Sequence, residues 1–281
     1  MYKMVDANEE YAKDSKLKRE DVENLRFWTE KQPHLPKITE LQLILFLQSC
    51  YYSNERAKSA IENFFTVRTL FEDLFSNLNP QESSIQMSLD VGLSYVLPEV
   101  TPNGDKIVLL KLLDNNPNKY ILQDQLKRFD MMLMLYMHLM GTNEGMQITF
   151  DFEGSTMSHL LKANPSLVKK YLFYLQEAVP IRLKHVHVIN VPSWIDRFLA
   201  LIKPFLKKEL LDMIHIHTSM NTFYEYVPKK ILPKEYGGSA ESVDILKDLQ
   251  NQRTNESKRV EKTNYDKIFG MEGTFKRLEI D

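Results

Sequence analysis

From residue 92 onward the chain alternates short strand-like runs with helices, and this alternation constrains the fold more than any other feature. "GLSYVLP" and "KIVLLKLLD" flank "EVTPNGD", whose Pro, Asn and Gly mark a turn. "LQDQLKRFDMMLMLYMHLM" reads as a long helix, and "MQITFDFEG" as a strand ending at Asp151 and Gly154. A helix begins after Asn164 with Pro165 in its first turn and stops at Pro180. The strand "LKHVHVINVP", the helix "SWIDRFLALIKPFL" and the strand "MIHIHTS" follow. The pattern predicts an α/β fold, with helices packed on a mostly parallel β-sheet.

Ahead of these runs the chain reads as helical. Leu17, Val22, Leu25 and Trp28 fall at helical spacing, and two prolines in "QPHLPKIT" then break the chain. Thr39 is placed to cap "ELQLILFLQSC". Ser53 is placed to cap a long helix with Ala57, Ala60, Ile61, Phe64, Phe65, Leu70 and Phe71 on one broad face. "NLNPQESS" marks a boundary. The expected organisation is an N-terminal helical domain over 1–79, a sheet-and-helix domain over 80–241, and a polar tail over 242–281. The start of that tail can form a helix, and its end reads as mobile.

Composition acts mainly by exclusion. Lys and Arg number 36 against 38 Asp and Glu, a net charge of −2, so nothing global points to nucleic acid and any membrane contact needs a local patch. Cys50 is the only cysteine, which excludes an intrachain disulfide and a cysteine-built metal site. The polar N-terminus lacks the apolar core of a signal peptide, and no apolar run approaches the ~18 residues of a spanning helix. A reducing, cytoplasmic setting is expected. There is no G-x-S-x-G elbow and no P-loop. His185 and His187 share one strand face, as do His215 and His217, a spacing that could chelate a metal. No carboxylate cluster stands beside them in sequence, so they read as structural. An enzyme is not expected, and no cofactor is implied; a metal-dependent enzyme using these histidines is the weaker alternative.

An ordered series of short motifs carries the most information. It runs D-x-x-G at Asp151–Gly154, N-P at Asn164–Pro165, then "HVINVP", "IKPFL" and "ILPKEYGG". No single piece is specific, but the order over some ninety residues resembles the CRAL-TRIO lipid-binding family, in its tocopherol-transfer and retinaldehyde-binding branch. The N-terminal helices resemble the helical domain that precedes it. The resemblance covers about residues 15 to 245. It implies a cage with a deep apolar pocket, closed by a mobile helix, carrying one hydrophobic molecule (a retinoid, a tocopherol-like isoprenoid or a phospholipid) as a monomer. A lipid-sensing regulatory module is the alternative reading.

The gate candidate is Trp194–Leu206, where Trp194, Phe198, Leu201, Ile202 and Phe205 form an apolar stripe and Pro204 limits continuation of the helix. The same stripe also suits an ordinary core-facing helix. By resemblance, Met146, Phe150, Tyr171, Leu175, Val179, Ile181 and Leu183 line the cavity, and Tyr174 adds a second hydroxyl on the same helix. These residues equally suit a solid core. "MMLMLYMHLM" reads as an adaptable wall or as plain core. Relatives meet phosphatidylinositol bisphosphate headgroups with cations on a strand and on nearby helices. Arg182 and Lys184 match the strand pair, while Leu45, Gln48, Glu209 and Met213 stand where relatives are basic. Lys203, Lys207 and Lys208 lie close by in sequence. Transient attraction to acidic membranes is expected, and a specific phosphoinositide exchange is not.

"ILPKEYGG" reads as a latch that closes the domain. Leu232 and Tyr236 are its anchors, Pro233 stiffens it, and Gly237–Gly238 allow a turn with φ > 0.

Overall fold

The computed structural model describes residues 4–256. Among them, six helices precede the sheet: α1 (Ala7–Lys13), α2 (Arg19–Glu30), α3 (Glu40–Ser49), α4 (Asn54–Leu70), α5 (Glu72–Phe75) and α6 (Ser83–Val91). Thr39 caps α3 through a reciprocal box with Gln42. Helix α3 is apolar nearly all round and is buried from Leu41 to Gln48, so it forms the centre of the N-terminal unit. Ser53 stands at the α4 N-cap, but its side chain makes no capping hydrogen bond. The polar N-terminus nonetheless holds α1, because Asp6 caps it and buried Glu10 accepts from the Thr142 backbone N–H at 2.9 Å. The stretch read as a boundary leads directly into α6.

The strands β1 (Gly92–Val100), β2 (Asp105–Leu112), β3 (Gly145–Asp151), β4 (Leu183–Ile189) and β5 (Ile214–Ile216) form one sheet in the order β1-β2-β3-β4-β5. The β1–β2 pair is antiparallel and the other pairs are parallel. The tight turn between β1 and β2 permits the former, and the helical crossovers require the latter. The crossover elements are α7 (Leu122–Met140), α8 (Met157–Leu161), α9 (Pro165–Glu177), α10 (Ile195–Ile202) and α11 (Lys208–Asp212). Asn164 caps α9 and Pro165 opens it, as its fixed φ suits the first turn. The run "SWIDRFLALIKPFL" is helical only to Ile202; Pro204 then lies in a 3-10 turn over Lys203–Phe205.

Alternation along the strands sorts side chains to two faces. Val96, Val108, Met146 and Ile148 join the large core shared with α7, α9 and the N-terminal helices. Leu93, Tyr95, Leu97, Ile107 and Leu109 face a second core. That core is closed by α12 (Met220–Tyr224), two 3-10 turns and α13 (Val243–Glu256). The start of the tail is therefore helical, and its end lies outside the described residues. No helix among the described residues is long and apolar enough to cross a membrane.

Candidate functional site

Between the first sheet face and helices α7, α9 and α10 lies a cavity of about 300 Å³. Leu110, Ile148, Phe150, Val186 and Val188 form its floor. Helix α7 contributes Leu122, Leu126 and Phe129, and α9 contributes Val168, Tyr171, Leu172 and Leu175 at steps of three and four. Trp194, Ile195, Phe198, Leu199 and Ile202 close it along the inner side of α10 and its N-terminal approach, while Asp196, Arg197 and Ala200 face outward. The lid thus follows from one i, i+3, i+4, i+7 pattern.

Of the thirteen ligand-contact candidates, the structure brings Phe150, Tyr171, Leu175, Leu183, Trp194, Phe198 and Ile202 to this cavity. Six are placed elsewhere. Met146 is fully buried at the start of β3, in solid packing. Tyr174 is also fully buried, and its hydroxyl donates to Asp130 Oδ1 at 2.7 Å while Arg68 Nη2 holds Oδ2 at 2.7 Å. This triad ties α4, α7 and α9 together. Val179 and Ile181 pack on the same core below the cavity. Leu201 is not among the cavity-lining residues, and Phe205 turns away to sit under the Lys169 ammonium. Sequence reasoning passed over Leu110, Leu126, Phe129, Arg128 and His159, all at the cavity wall. Four polar atoms of cavity-lining residues have no hydrogen-bond partner: Tyr171 Oη, Trp194 Nε1, His159 Nε2 and Arg128 Nε.

Below the lid, Asp151 gathers the motifs that are far apart in sequence. Its carboxylate accepts from Lys111 at 2.7 Å, Tyr236 at 2.6 Å, Asn190 at 2.7 Å and the Glu153 N–H at 2.9 Å. Burial pushes this carboxyl up, but the bonds from Lys111, Tyr236 and Asn190 outweigh it and hold it below the usual range. Asn190 adopts φ +49, a left-handed conformation that Asn tolerates, and redirects the chain from β4 into the lid. Gly237 has φ +71, and a Cβ at Gly238 would fall 1.9 Å from the Leu232 carbonyl, so the double glycine lets the latch fold back on itself. The latch therefore positions Tyr236 against Asp151 and fixes the root of the lid.

Residues 91–238, more than half of the chain, match the CRAL/TRIO domain. The chain belongs to the CRAL/TRIO domain family. Residues 14–85 match the Pinta-like, UBA domain. The chain is similar to alpha-tocopherol transfer protein-like of Homo sapiens, 31% identical over 242 residues, covering 85% of this chain and 70% of that protein. It is also similar to clavesin-1 of Xenopus laevis, 24% identical over 234 residues, covering 80% and 69%. A crystal structure of Sfh5 aligns over 71% of this chain and 72% of its own, at 16% identity and a TM-score of 0.46.

On the far face of this CRAL/TRIO sheet His185, His187 and His215, with His217 just past β5, stack into a ladder packed against Tyr226. Gln147 donates to Asp105 at 2.8 Å, which leaves its oxygen to accept from His187 Nε2 at 3.0 Å. His187 Nδ1 then accepts from His217 Nε2 at 3.0 Å, and His217 Nδ1 lies 3.0 Å from the Thr222 hydroxyl, which itself donates to the Ser219 carbonyl at 2.8 Å. His185 and His215 pair at 2.9 Å. His187, donating from Nε2 and accepting at Nδ1, is held neutral by these bonds. Burial lowers the pKa of all four, and His187 reaches about 3. Among the described residues, no group of three or more His, Cys, Asp or Glu side chains is arranged to hold a metal ion.

The candidate headgroup cations lie in different settings. Arg182 is buried; its Nε donates to the Gln48 carbonyl at 2.6 Å and its guanidinium lies over Tyr51 and Tyr52. Lys184 donates to the Tyr51 hydroxyl at 3.1 Å. Gln48 donates to the Asn143 carbonyl, and Leu45 is buried. Lys203, Lys207 and Lys208 are exposed at the C-terminal end of the lid, with Lys207 paired to Glu177.

Proposed function

We propose that this protein carries one hydrophobic small molecule or lipid in the cavity and exchanges it at membranes, without chemistry on the ligand. The observation that carries this reading is the apolar cavity of about 300 Å³ under a helix whose inner face is apolar. Burying several hundred Å² of apolar ligand at ~25 cal/mol per Å² supplies up to about 10 kcal/mol, and binding costs still leave submicromolar affinity within reach. Membership of the CRAL/TRIO domain family and likeness to an alpha-tocopherol transfer protein-like chain support the same reading. The ligand classes in play are a tocopherol-like isoprenoid, a retinoid and a phospholipid. The volume lies at the low end for ligand pockets, which favours a single chain or ring system.

In this reading α10 is the gate. Its root is fixed at Asn190–Asp151. Its far end is pinned by Gln176, which donates to the Phe205 carbonyl at 3.1 Å and accepts from the Lys207 N–H at 2.8 Å. These two hydrogen bonds and the partly exposed Lys207–Glu177 ion pair are a modest restraint, and the apolar inner stripe released by opening would enter a bilayer interface. Lys184, Lys203, Lys207 and Lys208 would add weak attraction to an acidic surface, at roughly 1 kcal/mol per cation. Uptake of fluorescent retinoid or sterol probes by the purified protein tests the proposal; no uptake of any probe refutes it.

A further inference from the structure

We infer that the cargo bears one negative charge, a carboxylate on a single apolar chain or ring system, and that Arg128 receives it inside the cavity. The inference rests on the carrier reading above and names the class of its ligand. Arg128 projects from α7 to the cavity wall and is 4% exposed. Its terminal nitrogens donate only to neutral amides: Nη1 to Gln250 Oε1 at 2.6 Å, and Nη2 to Gln125 Oε1 at 2.6 Å. Its Nε has no partner. No carboxylate among the described residues forms an ion pair with it. The other buried arginines also leave guanidinium nitrogens unpartnered, but Arg68 meets the Asp130 carboxylate and Arg182 lies over two tyrosine rings.

The site is built around this cation. Gln250 reaches in from α13, also accepting from the Ser94 N–H at 2.7 Å and donating to the Gly92 carbonyl at 3.3 Å. A Cβ at Gly92 would fall 2.5 Å from Gln125 Oε1 and 3.1 Å from Arg128 Nη2, so glycine leaves the room this pair occupies. The amides orient the guanidinium without neutralising it. Burial lowers its pKa to about 10, which keeps it charged at neutral pH. A buried, unneutralised cation is costly, and an anionic ligand group relieves that cost. The rest of the wall is largely apolar and supplies no second unpaired cation, so one charge is matched and a phosphate dianion is not.

The test is competition against a bound fluorescent sterol or retinoid probe by oleic acid, methyl oleate, oleyl alcohol and 1-oleoyl lysophosphatidic acid. The wild type should prefer the acid over the ester by roughly ten- to a hundredfold, the worth of a charge-assisted hydrogen bond. Arg128→Gln should abolish that preference, read as the ratio of acid to ester affinity within each protein, while Arg128→Lys keeps part of it. Should Arg128→Gln fail to fold, Gly92→Ala, which crowds the same guanidinium, should narrow the preference instead. Equal binding of acid, ester and alcohol overturns the Arg128 assignment and leaves the carrier reading standing. Tightest binding by the phosphate overturns the carboxylate. Failure of every probe and competitor refutes the carrier reading, and the inference falls with it.

Discussion

Acidification should destabilise this fold through the histidine ladder before ordinary carboxylates titrate. His187 is fully buried, and its pKa falls from 6.5 to about 3 because burial, and then the neighbouring His217, His215 and His185, disfavour its charge. A group whose folded pKa is depressed contributes stability that is complete above its unfolded pKa and is lost as pH falls toward the folded one. The window therefore runs from 6.5 down to about 3. Between pH 7 and pH 5, linkage gives a loss of about 2 kcal/mol from His187 alone. The lowered His185, His215 and His217 act with the same sign. Asp130, raised by burial, acts oppositely, so the informative quantity is the difference between proteins. Thermal melts should show a fall of roughly 4 °C or more over this interval. His187→Gln keeps hydrogen-bonding capacity without titrating and should flatten the slope, whatever it does to the level at pH 7. A variant whose melting temperature falls from pH 7 to pH 5 as steeply as the wild type's refutes the reasoning.

Other perturbations test separate parts. Phe198→Asp places a carboxylate in the cavity lining and should cut ligand retention at least tenfold, with less than about 1 kcal/mol lost from the fold, because Phe198 is only half-buried; probe off-rates and melts read the two together. Arg68→Met leaves Asp130 buried without its partner and should cost about 3–5 kcal/mol by urea unfolding, with Asp130→Asn in the same background recovering much of it. Gln176→Leu unpins the far end of α10 and should speed probe exchange with vesicles while lowering stability by about 1 kcal/mol; unchanged exchange would remove Gln176 from the gating account.

What the chain displays in one dimension is what local physics fixes. The alternation of strands and helices, the cap at Thr39, the Asn164–Pro165 helix start and the α10 stripe all depend on near neighbours. Depth within the core does not. Met146 and Phe150 share one face of β3, yet Met146 is packed in the solid core and only Phe150 reaches the cavity. Tyr171 and Tyr174 are three residues apart on one helix, and a distant acid, Asp130, decides that the second is a core residue. Arg128 was the least legible. It precedes the methionine-rich stretch Met131–Met140, which reads as adaptable wall or plain core, and the amide that orients it, Gln250, is 122 positions away. Locally Arg128 stands between Lys127 and Asp130, as a charge on a solvated helix face would. The latch was visible as a motif, but its role, delivering Tyr236 to Asp151, needed the fold.

The central claim is that the cavity under α10 holds a hydrophobic passenger. Native mass spectrometry of the purified chain, followed by organic extraction, tests it most directly. The account predicts one bound lipid-like molecule per chain, released by solvent and diminished in Phe198→Asp. A protein that carries no extractable hydrophobic molecule, and takes up none when offered retinoid, sterol or fatty-acid probes, would contradict it.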